Sequence, residues 1–577
     1  MMQFKAVAQV LQSLELTASR TVMTQELAQL LQQASAQEAA LICYLCLGEL
    51  NPPHIGTQFN IAQKNMAKVV AQVAGQSELV IQEELTRLGD LGSVIAHFYK
   101  ACQSSMTLSE VYQALVALER LSGVGSQEQK SQAIQQLITQ LDSVSAKYTV
   151  RIILGTLRLG FSDMTLLDAL SWMQAGDKSL SDALQDAYNV CADIGLIAHT
   201  LKQDGIDAIK SMNIKVGVPI RPAAAERLPD VESIIAKLGP CVAQPKLDGF
   251  RLQVHVDKTG QQPIIRFFSR NLTDMSEMFP EFVKACMQLP VKSFIADGEA
   301  MVYDPNTKMF ASFQETVKRR RKHGIEEMAS ELPLQLYLFD LLYLDGKSLL
   351  EAGHEDRRSA LINLLQPNTN ETLQLIDEKK VVTASQLEAY FIQEIAAGLE
   401  GLVIKRPDAH YQPGKRSSHW IKLKYQASDK LLDSLDVVVL GYYAGQGKRA
   451  QFGIGAFLVG IYNPRDNMYE TVAKVGTGLT DEQWVELKMR CDALAVPVQP
   501  NNVWCDKNLA PNVWVVPSQV CEVLADEITY SPIHTAGKSE KKLGLALRFP
   551  RFLKYRDDKN SYQATTLAEL ETLQKRL

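Results

Sequence analysis

The sequence predicts a multidomain chain of three successive folds: an all-α N-terminal domain, an α+β central domain and an all-β C-terminal domain. Three observations predict this. Apolar residues recur at helical spacing from Met1 to about Met212, alternating and β-branched runs replace them after Lys215, and from about Ser428 short strands are broken by glycines. The chain's 577 residues are enough for about three to five separately buried cores.

The first part is rich in Ala, Leu, Gln and Ser, and its apolar triplets Leu27, Leu30, Leu31 and Leu166, Leu167, Leu170 mark inward helix faces. NPPH at Asn51 to His54 and GFSD at Gly160 to Asp163 read as helix boundaries. Lys215 to Pro222, KVGVPIRP, holds a glycine and two prolines that prohibit helix and favour an extended connection, so the first domain is set at 1–213. The second, 214–427, carries the strand patterns LQVHV (Leu252 to Val256), PIIRFFS (Pro263 to Ser269), LQLYLFDLLYL (Leu334 to Leu344) and LVIK (Leu402 to Lys405) between helical stretches. The third, 428–577, contains LDVVVLGYY, GAFLVGIYN and YETVAKVGTG, the texture of a small antiparallel barrel.

Apolar residues make up 46% and charged residues 22%, so a disordered or fibrous chain is excluded. Sixty Lys and Arg against 65 Asp and Glu leave a net charge of −5, so any surface for a polyanion must be local. The longest purely apolar stretch, Ala39 to Gly48, is about half of the roughly 20 residues a membrane helix needs. The N-terminus also lacks the layout of a signal peptide, and an intracellular protein is expected. Nine cysteines scattered from Cys43 to Cys521 do not make a disulfide framework. The isolated Cys43/Cys46 pair, in the apolar string ALICYLCLG, reads as a core helix face rather than a zinc site.

The sharpest local string is KLDGFR, Lys246 to Arg251, ahead of the strand LQVHV. Taken alone, Asp248 and Gly249 are turn formers and Lys246 a surface lysine. Order and spacing add to it: FFSRN with Arg270, IADGEAM with Asp297 and Glu299, LYLFD with Phe339, LEGLVIK with Glu400 and Lys405, KRSSHWIKLK with Arg416, Lys422 and Lys424, then LALRFPRFLKYRDDK. This series resembles the motif set of the covalent nucleotidyltransferases, specifically the ATP-dependent DNA ligases of the archaeal and eukaryotic replicative type. VVLGYYAGQGKRAQFG and KVGTGLTDEQW are similar to the ligase oligonucleotide-binding (OB) domain, and VRIILGTLRLGFSDMTLLDALS to its helical DNA-binding domain.

The resemblance implies a helical DNA-binding domain, an adenylation (nucleotidyltransferase) domain and an OB-fold domain, sealing nicks in duplex DNA with ATP and Mg²⁺ or Mn²⁺. Lys246 becomes the nucleophile. A covalent enzyme intermediate splits one hard transfer into easier steps, and an amine must lose its proton to attack phosphorus. Lys422 and Lys424 alternate on one strand and so face the same way, as cationic neighbours for that amine and for the phosphates. Arg251, Arg270 and Arg416 are implied ribose or phosphate ligands with bidentate geometry, and Phe339 an adenine-stacking ring. Glu400 is the implied metal ligand and Glu299 a ribose contact that also reaches the metal, as hard cations prefer oxygen.

One position departs from the family pattern. Two residues before the lysine, where this ligase subfamily usually carries Glu, stands Gln244, which keeps an acceptor oxygen for an adenine amino group but adds a donor and loses the charge. Arg548, Arg551, Arg556 and Lys559 belong to the last family motif, implied to close over ATP and orient pyrophosphate. Lys318 to His323, KRRRKH, reads as a solvated loop or a contact to the DNA backbone. The expected partner is nicked duplex DNA and the expected state a monomer in the cytoplasm or nucleoid. No sliding-clamp peptide is recognisable. The competing implications are an RNA ligase or capping enzyme of the same superfamily, and an inactive DNA-binding scaffold.

Overall fold

The computed structural model describes residues 1–99, 105–157, 159–304, 309–310, 316, 319, 324–365, 371–424, 434–540 and 542–576. Among them, thirteen helices run from Phe4 to Lys210. Their ends follow local chemistry: Ser35 with Glu38 and Thr107 with Glu110 form capping boxes, and Gly75 closes a helix in the left-handed region at φ 62°. Leu27, Leu30 and Leu31 are buried on helix Arg20–Gln33, and Leu166, Leu167 and Leu170 on Asp163–Ala175. Cys43 and Cys46 are both buried on helix Ala36–Cys46, where burial pushes the Cys46 thiol up to about 12.

The chain separates into two compact bodies. One comprises Met1–Ile61, Cys102–Tyr148 and Ile152–Tyr425; the other comprises Ala62–Ala101, Thr149–Arg151 and Gln426–Leu577. Residue 213 falls inside the first body, and the helices between Gln63 and Phe98 group with the C-terminal region. The expected 427/428 boundary lies outside the described residues. So does most of KRRRKH: only Arg319 is described, and it is neither solvated nor a free cation but a fully buried side chain paired with Glu281.

Nine strands position the central region: β1 (Ala224–Arg227), β2 (Cys241–Lys246), β3 (Phe250–Asp257), β4 (Ile264–Ser269), β5 (Ser293–Asp304), β6 (Leu334–Leu344), β7 (Lys379–Val381), β8 (Gly401–Lys405) and β9 (Arg416–Lys424). They build two sheets. The first has the order β1-β9-β8-β2-β7; the second contains β4-β3-β5-β6, extended by Lys347–Ser348 and by short partners of β5 and β6. In the first sheet Ala243, Leu402, Ile404, Ile421 and Leu423 face a core closed by helices Val231–Leu238 and Ala384–Ala396. Period-two alternation turns Gln244, Lys246, Val403, Lys405, Lys422 and Lys424 to the opposite face. In the second sheet Leu252, Val254 and Val256 pack against Phe279 and Phe282, leaving Arg251, Gln253 and His255 on the other side. Each such buried aliphatic is worth about 1.5–3 kcal/mol, so a one-residue slip in register is excluded energetically.

The C-terminal region is β-rich. Leu435–Tyr443, Ala456–Asn463 and Met468–Val475 pair antiparallel in sequence, and Val520–Leu524 joins the first of them to Arg551–Tyr555. Its core runs through Val437, Val439, Phe457, Val459, Val472 and Phe552. Among the described residues the expected purely antiparallel pattern is broken by two short parallel pairings, Tyr469 with Val503 and Tyr462 with Thr566.

Candidate active site

The turn Leu247–Gly249 is the hinge of the site, because β2 belongs to the first sheet and β3 to the second. A tight crossover between sheets leaves no room for a side chain at 249: a Cβ there would lie 2.2 Å from the Ala300 carbonyl oxygen. The Gly249 amide donates to Glu299 Oε1 at 3.2 Å. Between the two sheets opens a cavity of about 680 Å³. It is lined by Lys246, Gln244, Arg251, Arg270, Glu299, Phe339, Arg416, Lys422 and Lys424, the nine residues singled out for catalysis and nucleotide binding.

Charge is arranged in opposing sets. Lys246 and Lys424 both donate to the Glu400 carboxylate, and register explains it: Gly401 is flanked by Lys246 on β2 and Lys424 on β9. Burial alone pushes Glu400 up, but the two lysines outweigh it and hold the carboxyl below its ordinary range. Lys422 is held below the usual lysine range, first by burial and then by Lys424, Arg416, Lys246 and Arg270. Glu299 lies opposite, pushed up to about 7 because burial outweighs the attraction of Arg251 and Lys246.

Arg251 is committed to the framework. It donates to the Ala223 carbonyl at 2.8 Å and to Asp297 at 2.7 Å, while its Nε finds no acceptor among the described residues. The Tyr411 hydroxyl donates to the same Asp297 oxygen at 2.7 Å and accepts from the Ala223 amide at 3.0 Å. On the other wall, Lys405 Nζ lies 5.2 Å from the Phe339 ring centre and donates to the Phe339 carbonyl at 3.2 Å.

Arg548, Arg551, Arg556 and Lys559 belong to the second body, and there each is already ion-paired. Arg548 meets Glu527 at 3.0 Å, Arg551 meets Asp526 at 2.7 Å, and Arg556 and Lys559 share Asp436 at 2.8 and 2.5 Å.

Three family models match the chain: DNA ligase N terminus over residues 3–171, ATP dependent DNA ligase domain over 222–424, and ATP dependent DNA ligase C terminal region over 450–559. A probable DNA ligase of Dictyoglomus turgidum is 39% identical over 573 residues, covering 99% of this chain and 97% of the relative. DNA ligase 1 of Methanosarcina acetivorans is 35% identical over 585 residues, covering 99% of both. The chain belongs to the ATP-dependent DNA ligase family. Among solved structures, Pmar-Lig_PreS3 shares the fold at a TM-score of 0.55 and 16% identity, over 95% of this chain and 99% of that one.

The ligase therefore joins nicks in DNA at the expense of ATP, through an enzyme adenylate and an adenylated DNA 5′-phosphate. Among its described residues no helix is long and apolar enough to cross a membrane. Sequence reasoning left several of the ligase's site-forming residues without a role. Lys405, Asp340, His354, Arg357 and Glu378 form a buried ionic cluster behind Phe339. Asp340 receives Arg357 at 2.7 Å, and although burial opposes ionisation, Arg357 and Lys405 hold its carboxyl well below the usual range. The available signal was a charged residue inside each apolar strand run, Asp340 in LFDLL and Lys405 in LVIK, since such residues are buried only when paired.

Proposed function

We propose that Lys246 is the nucleophile that takes AMP from ATP, and that the cavity between the two sheets is the nucleotide site. The reading is carried by one observation: Lys246 stands at the end of β2, facing the cavity, among Lys422, Lys424 and Glu400. Its Nζ attacks the α-phosphorus and pyrophosphate leaves. AMP then passes to the 5′-phosphate of a nick, and the 3′-hydroxyl displaces it. Lys422, Lys424, Arg270 and Arg416 neutralise the phosphates, Phe339 and Gln244 hold the adenine, and Arg251 with Glu299 borders the ribose.

Among the described residues no cluster of three or more His, Cys, Asp or Glu side chains forms a metal cage. A pair of carboxylates, Glu299 and Glu400, both within electrostatic reach of Lys246, fits Mg²⁺ or Mn²⁺ better, since Mg²⁺ is usually held by one or two carboxylates plus substrate phosphates. Such an ion supplies charge neutralisation at the transferring phosphoryl group. Here Glu400 positions Lys246, and Glu299 is anchored by the Gly249 amide.

We assign 1–213 to DNA binding, 214–427 to adenylation and 428–577 to an OB fold whose Arg548, Arg551, Arg556 and Lys559 act on the pyrophosphate. Those four would have to exchange their present carboxylate partners for phosphate oxygens. The ligase acts as a monomer inside the cell, in the cytoplasm or nucleoid if prokaryotic. The deciding test is incubation with α-labelled ATP, and separately GTP and NAD⁺, followed by denaturing electrophoresis. Label retained on the full chain from ATP and lost in Lys246→Ala supports the assignment; label retained by Lys246→Ala overturns it.

A further inference from the structure

Gln244 is 2% exposed and lines the cavity, and its side-chain nitrogen meets two acceptors. Its Nε2 donates to Glu378 Oε2 at 2.7 Å and reaches the Phe339 carbonyl at 3.4 Å. Glu378 is an ionised acceptor. Burial alone pushes its carboxyl up, but the hydrogen bond from His354 at 2.8 Å, with Arg358 and Lys405 nearby, outweighs burial and keeps it below the ordinary range. A carboxylate accepts only, and so does a carbonyl. Turning the Gln244 amide over would set its oxygen against both, two acceptor-to-acceptor contacts in a buried place. The amide is therefore held one way round, with the nitrogen toward Glu378 and the oxygen toward the cavity.

We propose that Glu378, anchored by His354, is a positioning residue for nucleotide selection: it fixes the Gln244 amide so that Oε1 presents an acceptor to the 6-amino group of adenine and rejects a 6-oxo purine. The proposal rests on the reading that Gln244 meets the base. It also explains how glutamine serves at this position. A glutamate at 244 would lie beside the Glu378 carboxylate, where two like charges at 2.7 Å cannot both ionise. The acid sits on the β7 side of the cluster, and the residue that touches the base is its neutral, oriented partner.

The test compares adenylation and inosylation of full-length protein by ATP and inosine triphosphate, which differ at the purine 6-position and the adjoining ring nitrogen. In the Glu378→Met variant the ratio of kcat/KM for ATP over inosine triphosphate should fall roughly ten-fold or more, because a freed Gln244 can turn its donor to the 6-oxo group. Glu378→Gln should keep the ratio, since its amide oxygen still accepts from both Gln244 and His354. A structural role alone would lower both nucleotides together and leave the ratio in place. If Gln244→Leu lowers the ratio and Glu378→Met does not, the role of Glu378 is overturned while the base contact stands. If neither moves it, the base contact itself is wrong. Should Glu378→Met not fold, the exchange decides: Gln244→Glu should lose ATP labelling roughly ten-fold and the pair Gln244→Glu with Glu378→Gln should regain it. An exchange that regains nothing overturns the proposal.

Discussion

Lys405 Nζ lies 4.3 Å from the centre of the Trp420 ring and 3.6 Å from Asp340, with all three side chains almost wholly buried. Burial outweighs the attraction of Asp340 and Glu378 and lowers this lysine to about 8. In the unfolded chain the same amine titrates near 10.4, so between roughly pH 8 and pH 10.4 the unfolded state binds a proton the native state lacks. Below that window both states are protonated and the group contributes no pH dependence. Stability from Lys405 therefore rises with pH through the window, by about 3 kcal/mol. In urea titrations, the wild-type curve minus the Lys405→Met curve should show this rise. A flat difference would mean that the amine is solvated in the native state. Because Arg357 still neutralises Asp340, Lys405→Met should cost under about 1.5 kcal/mol at pH 7, whereas Arg357→Met should cost about 3–5 kcal/mol.

Lys246→Ala should leave no covalent adenylate, while sealing of a nick whose 5′-phosphate is already adenylated should survive at a reduced rate. The last displacement needs alignment of the 3′-hydroxyl and charge neutralisation, not the amine. The check is gel assay of both steps on the same preparation. Loss of both reactions together would place Lys246 in DNA positioning as well.

Gly249→Ala tests why KLDG requires its glycine. The added methyl meets the backbone carbonyl oxygen of Ala300 at 2.2 Å, and the turn must shift for it to fit. That shift breaks the Gly249 amide bond to Glu299 and moves Lys246, three residues away, off its line to the phosphate. Misplacement by about 1 Å can cost on the order of a hundred-fold, so labelling should drop by that order even in protein that remains folded. Near-normal labelling with normal circular dichroism would remove this account of the motif.

Much of the site was legible because strand periodicity is exact. Two residues of β2 and two of β9 that alternate in sequence, Gln244 with Lys246 and Lys422 with Lys424, had to share a face, and the ordered motifs supplied the rest. What was not legible was long-range pairing. Glu378 precedes the short strand β7, 134 residues beyond Gln244, in a stretch with no motif, and nothing local says that it will face the amide. Apart from Asp558, which neighbours Arg556 in the string LRFPRFLKYRDDK, the carboxylate partners of Arg548, Arg551, Arg556 and Lys559 were equally silent, because the string does not show the Glu527, Asp526 and Asp436 that lie across from them. The grouping of Ala62–Ala101 with the C-terminal body had no sequence signal either, since amphipathic helices report that a face is covered but not by what.

That grouping sharpens the last prediction, which separates adenylate formation from nick sealing. Every residue lining the cavity lies between Ala223 and Lys424, so a chain of residues 214–577 retains all of the nucleotide chemistry and should still form the Lys246 adduct. The cut removes several contacts. Arg221 loses the Asn189 carbonyl its amide meets at 2.8 Å, and the C-terminal body loses the helices between Gln63 and Phe98. The truncated protein should therefore melt lower than the full chain, and labelling must be compared per folded molecule. Sealing should suffer far more, because holding the duplex in register with its ends aligned can be worth roughly 7–11 kcal/mol of barrier. On a chain with net charge −5, phosphate contacts must come from local cations and helix N-termini, which a helical region of this size supplies in number. The affinity that remains should be weak already at about 50 mM salt and should fall less steeply between about 50 and 200 mM than that of the full chain, because the salt slope shrinks by about one for each phosphate contact removed. Equal sealing by the truncated and full-length proteins at moderate salt would remove DNA binding from the first 213 residues.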